Sequence, residues 1–247
     1  MKQNEGTMKF DAIYSLGKNC ACAEYLKKHN LRLKAGPFDW IVSADSYAPF
    51  QCVFDEFNLF SDFSYLKVIS QYDNTLKVEH SRTKYLFLHD FFSNSSFSAQ
   101  ISPVHDKYQR RITRFLQDLK SRKSVLLVWY GEDGTTLEQK TVKEFVEKIL
   151  AKYGTHIYFA FIIYSKTPYE NFTNVSYLVM PEGNILKRQE GFLQWDKYEI
   201  DPIFANISIR DNKYIPLLKM REIFYRLCSV FIFNKNKRHQ FVERNMK

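Results

Sequence analysis

The sequence predicts an α/β domain of the three-layer, Rossmann-like type with a mainly parallel sheet, and two observations support this prediction. From residue 83 onward, short and continuously apolar runs alternate with longer amphipathic stretches. Such apolar runs are typical of strands that helices cover on both faces, as in parallel sheets. The chain has 247 residues, of which 45% are hydrophobic and 17% aromatic, so it can bury one large, aromatic-rich core. We therefore predict a single domain over residues 1–247.

The predicted elements follow one another in regular alternation. A first strand over Phe10–Ser15 leads through a tight turn into a helix from Cys20 to about His29. Further strands are predicted over residues 84–92, 124–130, 156–164 and 175–180, and amphipathic helices over residues 104–120 and 136–153. Gly154 follows the second of these helices, and glycine commonly occurs just past a helix end.

Two parts of the sequence are less regular. Residues 41–82 are predicted to form a helical insertion, with a helix around Ser46–Phe57. Residues 183–247 end with a predicted C-terminal helix over Ile215–Phe233, followed by a basic tail over residues 234–247. The polar residues 1–9 are predicted to be flexible.

Cysteine content and charge limit the setting of the protein and its partners. Four scattered cysteines do not form a disulfide framework, and no signal peptide or bilayer-spanning stretch is evident, so we expect a cytoplasmic protein. A solvated face explains the net charge of +9 most simply; the functional alternatives are an anionic substrate or a membrane surface that the basic tail contacts. Without a nucleic-acid-binding motif, no specific nucleic-acid partner is expected.

The turn between the first strand and helix carries a cysteine in a favourable place for chemistry. Gly17 allows a sharp turn, and Cys20 follows it at the first turn of the helix. Unpaired amides and the helix dipole at that point stabilise a thiolate, while the same amides and the Asn19 side chain could hold an oxyanion. The spacing alone equally describes a small residue buried beneath the helix, which is the simpler interpretation.

Metal and cofactor sites are not expected. Cys22 lies two residues after Cys20, but no second pair or histidine cluster completes a zinc site, so Cys22 is predicted to pack inward. The Rossmann glycine fingerprint and the P-loop lysine motif are both absent, so no nucleotide cofactor is expected.

A nucleophilic cysteine needs a base, and His89 is the histidine that the pattern favours. It lies near the end of a predicted buried strand, next to Asp90, so it is expected at the same sheet edge as Cys20. The alternative is a strand-end histidine that only hydrogen-bonds a neighbour. Asp39 and Trp40 follow a Gly-Pro turn, where they could line a pocket or could serve packing and helix capping alone.

The chain resembles the bacterial DUF1796 family, described as putative papain-like cysteine peptidases. The resemblance covers roughly residues 12–130 and rests on "YSLGKNCACAEYLKKHNLR", "GPFDWI", "FLHDF" and "KYQRRITRF" followed by "SVLLVWY". It implies Cys20 as nucleophile, His89 as its partner and Asp90 or Asp39 as a third member. It also implies that Arg110 or Arg111 lies near the site and binds an anionic group.

The expected function is therefore a cysteine-dependent hydrolase or acyl-transfer enzyme acting on a peptide, ester or polysaccharide-related substrate. Papain-like peptidases pack a helical lobe against an antiparallel barrel, whereas alternating strands and helices predict a parallel sheet here. The opening strand, glycine, cysteine and helix also look like those of surface-polysaccharide acyltransferases, with acyl-coenzyme A as a candidate co-substrate. A non-catalytic carbohydrate- or nucleotide-binding module in polysaccharide assembly is the third alternative.

Overall fold

The computed structural model describes residues 8–131, 135–180, 188–189, 192–193 and 207–210. The helices are α1 (Cys20–Lys28), α2 (Ala48–Phe54), α3 (Phe97–Ser121) and α4 (Gln139–Tyr153). The strands are β1 (Met8–Phe10), β2 (Ala12–Ser15), β3 (Ile41–Ser43), β4 (Leu66–Tyr72), β5 (Thr75–His80), β6 (Tyr85–Phe92), β7 (Val125–Tyr130), β8 (Ile157–Tyr164), β9 (Val175–Met180), β10 (Arg188–Gln189), β11 (Phe192–Leu193) and β12 (Ile207–Ile209).

A four-stranded parallel sheet in the order β2-β7-β8-β9 confirms the predicted parallel pairing. Every residue of β2 and of β7 is buried. Side chains on one face, among them Ile13 and Leu126, pack with residues of α1, whereas Leu127 and Phe161 on the other face pack with residues of α3 and α4. Burial on both faces explains why these strands are apolar at every position.

The helix ends follow local rules that the sequence also shows. Asn19 caps α1 by accepting a hydrogen bond from the Ala21 amide at 3.0 Å, and Ser96 caps α3 in the same manner. The start of α3 lies seven residues before the predicted one. Gly154 follows α4 at a φ of +111°, a conformation that side chains rarely adopt, which confirms it as the end of this helix.

A second four-stranded sheet is antiparallel, in the order β3-β6-β5-β4, and it corrects the predicted helical insertion. Within residues 41–82 the only α-helix is α2, which lies inside the helix predicted around Ser46–Phe57; β3, β4 and β5 are strands, and turns and a short 3-10 helix join these elements. Leu76, Val78 and His80 alternate with less buried neighbours along β5, the pattern of a strand covered on one face. The fold is therefore mixed α/β: two sheets are parallel, one four-stranded sheet is antiparallel, and β10 and β11 form a short antiparallel pair. The three-layer Rossmann-like arrangement is not confirmed.

An aromatic cluster lies against the antiparallel sheet and contains Phe57, Phe60, Phe63, Tyr85, Phe87 and Tyr108. Phe60 has ring contacts with the other five members and stacks on His80. Through Tyr108, this cluster joins α3 to β6.

The chain ends are described only in part. Met8 and Lys9, predicted to be flexible, belong to β1, which pairs in parallel with β12. The predicted C-terminal helix and basic tail lie outside the described residues. Among the residues that are described, no helix combines the length and the apolar character needed to cross a membrane.

Candidate active site

The turn before α1 is hydrogen-bonded to both large sheets. The Leu16 amide donates to the Val128 carbonyl of β7 at 2.7 Å. At the other side of the turn, the Ser43 amide of β3 donates to the Lys18 carbonyl at 3.0 Å. The segment that delivers Cys20 therefore lies where the carboxyl edge of the parallel sheet meets the antiparallel sheet.

Cys20 is the first residue of α1 and is partly exposed. The Asn19 cap commits the Oδ1 atom of that side chain to the Ala21 amide, so only its Nδ2 group could serve as the expected oxyanion donor. A Cβ atom on Gly17 would lie 2.7 Å from the Cβ of Cys22, closer than packed atoms approach. Gly17 is therefore required for the close approach of the turn to α1, whatever its relation to a substrate.

The two other cysteines that the structure describes are buried. Burial raises the pKa of the Cys22 thiol to about 12, and its Sγ atom donates to the Val128 carbonyl at 3.4 Å. Burial likewise raises the pKa of Cys52. The inward packing predicted for Cys22 is confirmed, and both thiols stay protonated and inert near neutral pH.

His89 lies on β6 of the antiparallel sheet, which corrects the expectation that its strand belongs to the parallel sheet. Phe87 pairs with Val78 and Phe91 with Leu76, so three residues of β6 lie opposite one residue of β5. This bulge contains both His89 and Asp90. Bulges redirect side chains and are common beside active sites. Here the imidazole is half-buried and contacts the Trp40 ring edge-to-face, with 5.9 Å between centroids.

Asp90 is buried and faces α3 rather than the imidazole beside it. Its Oδ1 atom pairs with the Lys107 ammonium, and its Oδ2 atom accepts from the Tyr108 hydroxyl at 2.7 Å. Burial acts to raise the pKa of Asp90, but Lys107, Tyr108 and Arg111 outweigh it, so this pKa is lowered. The geometry gives Asp90 an anchoring contact between the bulge and α3, and no hydrogen bond joins it to His89.

Asp39 is also buried, in the turn that precedes β3. Its Oδ2 atom accepts from Arg32 and from the Gly36 amide, each at 2.9 Å. Its Oδ1 atom has no hydrogen-bond partner. Burial raises the pKa of Asp39, although Arg32 and Arg111 act in the opposite direction. Neither Asp39 nor Asp90 hydrogen-bonds the imidazole, so the structure does not bring the expected third member to His89.

Arg110 and Arg111 lie on different faces of α3. Arg110 is exposed, whereas Arg111 is 3% exposed and lies over the Tyr108 ring. The guanidinium of Arg111 helps to lower the pKa of Asp90 and opposes the rise in the pKa of Asp39, yet its Nη1 atom has no hydrogen-bond partner. Of the two candidates, Arg111 therefore belongs to the charged group around the turn and the bulge.

Three cations and two carboxylates form a charge network around Trp40 and the bulge: Arg32 pairs with Asp39, Lys107 pairs with Asp90, and Arg111 acts on both carboxylates. Two members of this network, Arg32 and Lys107, were not predicted from the sequence, because each lies in a different motif from the carboxylate with which it pairs. Arg32 stands seven residues before Asp39, but the residues between them form neither a helix nor a strand, so no regular spacing predicts their contact. Over the described part of the chain, no group of three or more acidic, histidine or cysteine side chains is placed to hold a metal ion.

The fold and this geometry define a mixed α/β protein with a partly exposed cysteine at the start of its first helix. A family model described as "Putative papain-like cysteine peptidase (DUF1796)" matches residues 11–165. The chain belongs to this family.

Similarity to proteins outside the family model is low. The chain is 24% identical over 181 residues to an uncharacterized protein of Acanthamoeba polyphaga mimivirus, covering 65% of this chain and 80% of that protein. Because this relative is viral, it lends no support to the expected bacterial origin or to a role in polysaccharide assembly. No solved structure matches the chain significantly.

Proposed function

We propose that the protein is a cysteine-dependent hydrolase or acyl-transfer enzyme in which Cys20 attacks a carbonyl carbon and His89 transfers the proton. The observation that carries this proposal is the difference among the three described cysteines. Cys20 alone of these is partly exposed, and it stands at the first residue of a helix, where amides and the helix dipole favour thiolate.

The placement of His89 supports its part in the mechanism. The turn before Cys20 is bonded to β3, β3 pairs with β6, and Trp40 at the start of β3 contacts the imidazole. A bulge in β6 gives the imidazole a direction different from that of its buried strand neighbours. His89 would accept the thiol proton and later donate it to the leaving group.

A carbonyl substrate is common to every activity in this class. The family description names a peptide substrate, whereas an ester or thioester would need the same nucleophile and base. A phosphate-bearing donor such as acyl-coenzyme A could use exposed Arg110, but Lys107 and Arg111 are engaged in the interior. We therefore favour hydrolysis over transfer from acyl-coenzyme A.

Alkylation of Cys20 at different pH values tests the proposal without a known substrate. The assay uses a background of Cys22→Ala, Cys52→Ala and Cys228→Ala, so that iodoacetamide reports on Cys20 alone. We expect the midpoint of alkylation to lie well below the ordinary thiol value of about 8.5, and His89→Gln to raise it. His105→Gln, a change of a partly exposed histidine on α3, should leave the midpoint unchanged.

A matched thiol on the same helix provides the reference. Glu24→Cys in a fully cysteine-free background places an exposed thiol one turn further along α1, away from the free amides. Equal midpoints for Cys20 and for this reference thiol would contradict the proposal. A panel of peptides, esters and thioesters, with Cys20→Ala as the inactive control, then distinguishes the substrates.

A further inference from the structure

Arg32 connects the segment after α1 to the turn before β3. Its Nη1 atom donates to Asp39 Oδ2 at 2.9 Å, and both side chains are almost fully buried, at 8% and 1% exposure. Asp39 Oδ2 also accepts a hydrogen bond from the Gly36 amide, and this bond closes the turn from Gly36 to Asp39. The same oxygen atom therefore holds both the turn and Arg32. Arg32 lies four residues beyond the last residue of the helix that begins with Cys20.

The same guanidinium also contacts an aromatic ring. The Cζ atom of Arg32 lies over the Trp40 ring, 5.7 Å from its centroid. Trp40 in turn contacts His89 edge-to-face. A planar guanidinium can hold a carboxylate and stack on a ring at once, which a lysine ammonium cannot do.

From these contacts we propose that Arg32 is a positioning residue for His89: by pairing with Asp39 and lying over Trp40, it fixes the ring against which the imidazole rests. The inference rests on the proposed function, since it concerns the base of the same site. The contacts that link Arg32 to the imidazole run through Trp40, so its effect passes through that ring.

Arg32 also links α1 to the turn before β3. The chain leaves α1 through Leu31, whose amide donates to the Leu26 carbonyl, and Arg32 follows directly. One side chain therefore ties the helix of Cys20 to the turn that packs on His89. Movement of the Asp39–Trp40 segment relative to α1 would break both contacts of Arg32 together.

A double variant separates positioning from mere stability. Arg32→Met alone leaves a buried and uncompensated carboxylate, which destabilises folded proteins strongly. Arg32→Met combined with Asp39→Asn removes both charges together. Because burial already opposes the charge on Asp39, we expect the double variant to unfold at a higher temperature than Arg32→Met alone.

The decisive measurement is the pH midpoint of Cys20 alkylation in the single-cysteine background described above. We expect the folded double variant to move toward the midpoint of His89→Gln. Below both midpoints, each unit of this shift slows alkylation about tenfold. A purely structural role predicts instead that the double variant regains the wild-type midpoint as it regains stability, and that result would overturn the inference.

Arg32→Lys supplies a second, independent arm. A lysine keeps a cation beside Asp39 but loses the guanidinium that lies over the Trp40 ring, so we expect a stable fold with a smaller shift in the same direction. If the double variant does not fold, a wild-type midpoint for Arg32→Lys overturns the inference by itself. If wild type and His89→Gln share one midpoint, the proposed function fails instead, before the role of Arg32 is at issue.

Discussion

The two large sheets are built on different rules. In the parallel sheet, β2 and β7 are buried at every residue because helices cover both faces. In the antiparallel sheet, β5 alternates between more and less buried residues, and the edge strand β4 is exposed from its second residue onward. One sheet is a buried layer, whereas the other has one face covered by aromatic side chains.

This difference places the candidate site at a junction. Cys20 follows β2, a fully buried strand of the parallel sheet, and the turn between them is hydrogen-bonded on both sides. His89 lies on a bulge of the half-covered sheet, where a strand can bend without disturbing a second packed layer. The sheet that helices cover on both faces therefore presents the proposed nucleophile, and the sheet that is covered on one face presents the proposed base.

Removal of Phe60 should have the largest effect, because it tests whether the antiparallel half depends on its aromatic cluster. Phe60 is fully buried and contacts five other members of that cluster. We expect Phe60→Ala to lower the free energy of unfolding by about 3–5 kcal/mol, measured by urea denaturation. Phe54→Ala, a change of a 44% exposed ring, should cost far less. Similar losses for the two variants would contradict a dependence on the cluster.

The second largest effect is expected for a change of Asp90, which lies in the bulge of β6. Asp90→Asn would leave the Lys107 ammonium without its carboxylate beside the buried Tyr108 hydroxyl. Because Lys107 is 26% exposed, we expect a loss of about 2–3 kcal/mol in unfolding free energy, less than for a fully buried pair. Asp106→Asn on the exposed side of α3 is the matched control and should change stability by under about 0.5 kcal/mol.

The acid limb of the stability curve reports on the same carboxylate. The pKa of Asp90 is lowered in the folded protein, so its stabilising contribution is present above the unfolded value of about 3.9. That contribution is lost as the pH falls through the lower, folded value. Asp90→Asn should therefore flatten the loss of stability in acid, and an unchanged acid limb would argue against the pairing with Lys107.

The elements of the parallel sheet could be predicted because their signal is local. Runs such as Val125–Tyr130 are apolar throughout, and Asn19 and Gly154 mark helix ends by their own chemistry. The placement of β6 could not be predicted in this way. Tyr85–Phe92 is rich in apolar and aromatic residues, as doubly buried strands are, yet it pairs antiparallel with β5, the preceding strand, and with β3, which lies much earlier in the chain.

The candidate site was predictable to a similar degree. The position of Cys20 at a helix start follows from Gly17, the Asn19 cap and the apolar strand before them. The bulge at His89 arises from the pairing between β5 and β6, so no residue type in the sequence predicts it. The ion pairs of Arg32 and Lys107 depend on how irregular segments of the chain fold back, which no regular spacing in the sequence predicts.

His80 offers a smaller, pH-dependent test of the antiparallel half. It is fully buried, its Nδ1 atom accepts from the Thr83 amide at 3.2 Å, and its Nε2 atom lies 3.0 Å from the Asp62 carbonyl. An amide can only donate, so Nε2 carries the hydrogen and the ring is neutral. Burial lowers the pKa of His80, although the Asp62 carbonyl acts in the opposite direction.

The sign of the effect follows from this lowered pKa. Protonation favours the unfolded chain, so the neutral ring contributes its full stability above the unfolded value of about 6.5. Stability then falls with pH below that value, by at most about 1.4 kcal/mol per pH unit. Urea denaturation at about pH 7 and pH 5.5 should show this slope in wild type and a smaller one in His80→Gln. His105→Gln should keep the wild-type slope, and an equal slope in His80→Gln would exclude His80 as its source.

The smallest effect is expected at the exposed edge of the same sheet. Ile69 is 43% exposed on β4, with Val68 and Tyr72 also exposed beside it. Ile69→Thr should change the unfolding free energy by less than about 0.5 kcal/mol, because little apolar area is buried there. Val78→Thr on β5, at a fully buried position, should cost about 1–3 kcal/mol by burying a hydroxyl.

An apolar edge strand also promotes pairing between chains, so Ile69→Thr should reduce light scattering at high protein concentration. A loss above about 1 kcal/mol for Ile69→Thr would show that β4 is covered in solution, and the contrast between a doubly covered and a half-covered sheet would then no longer hold.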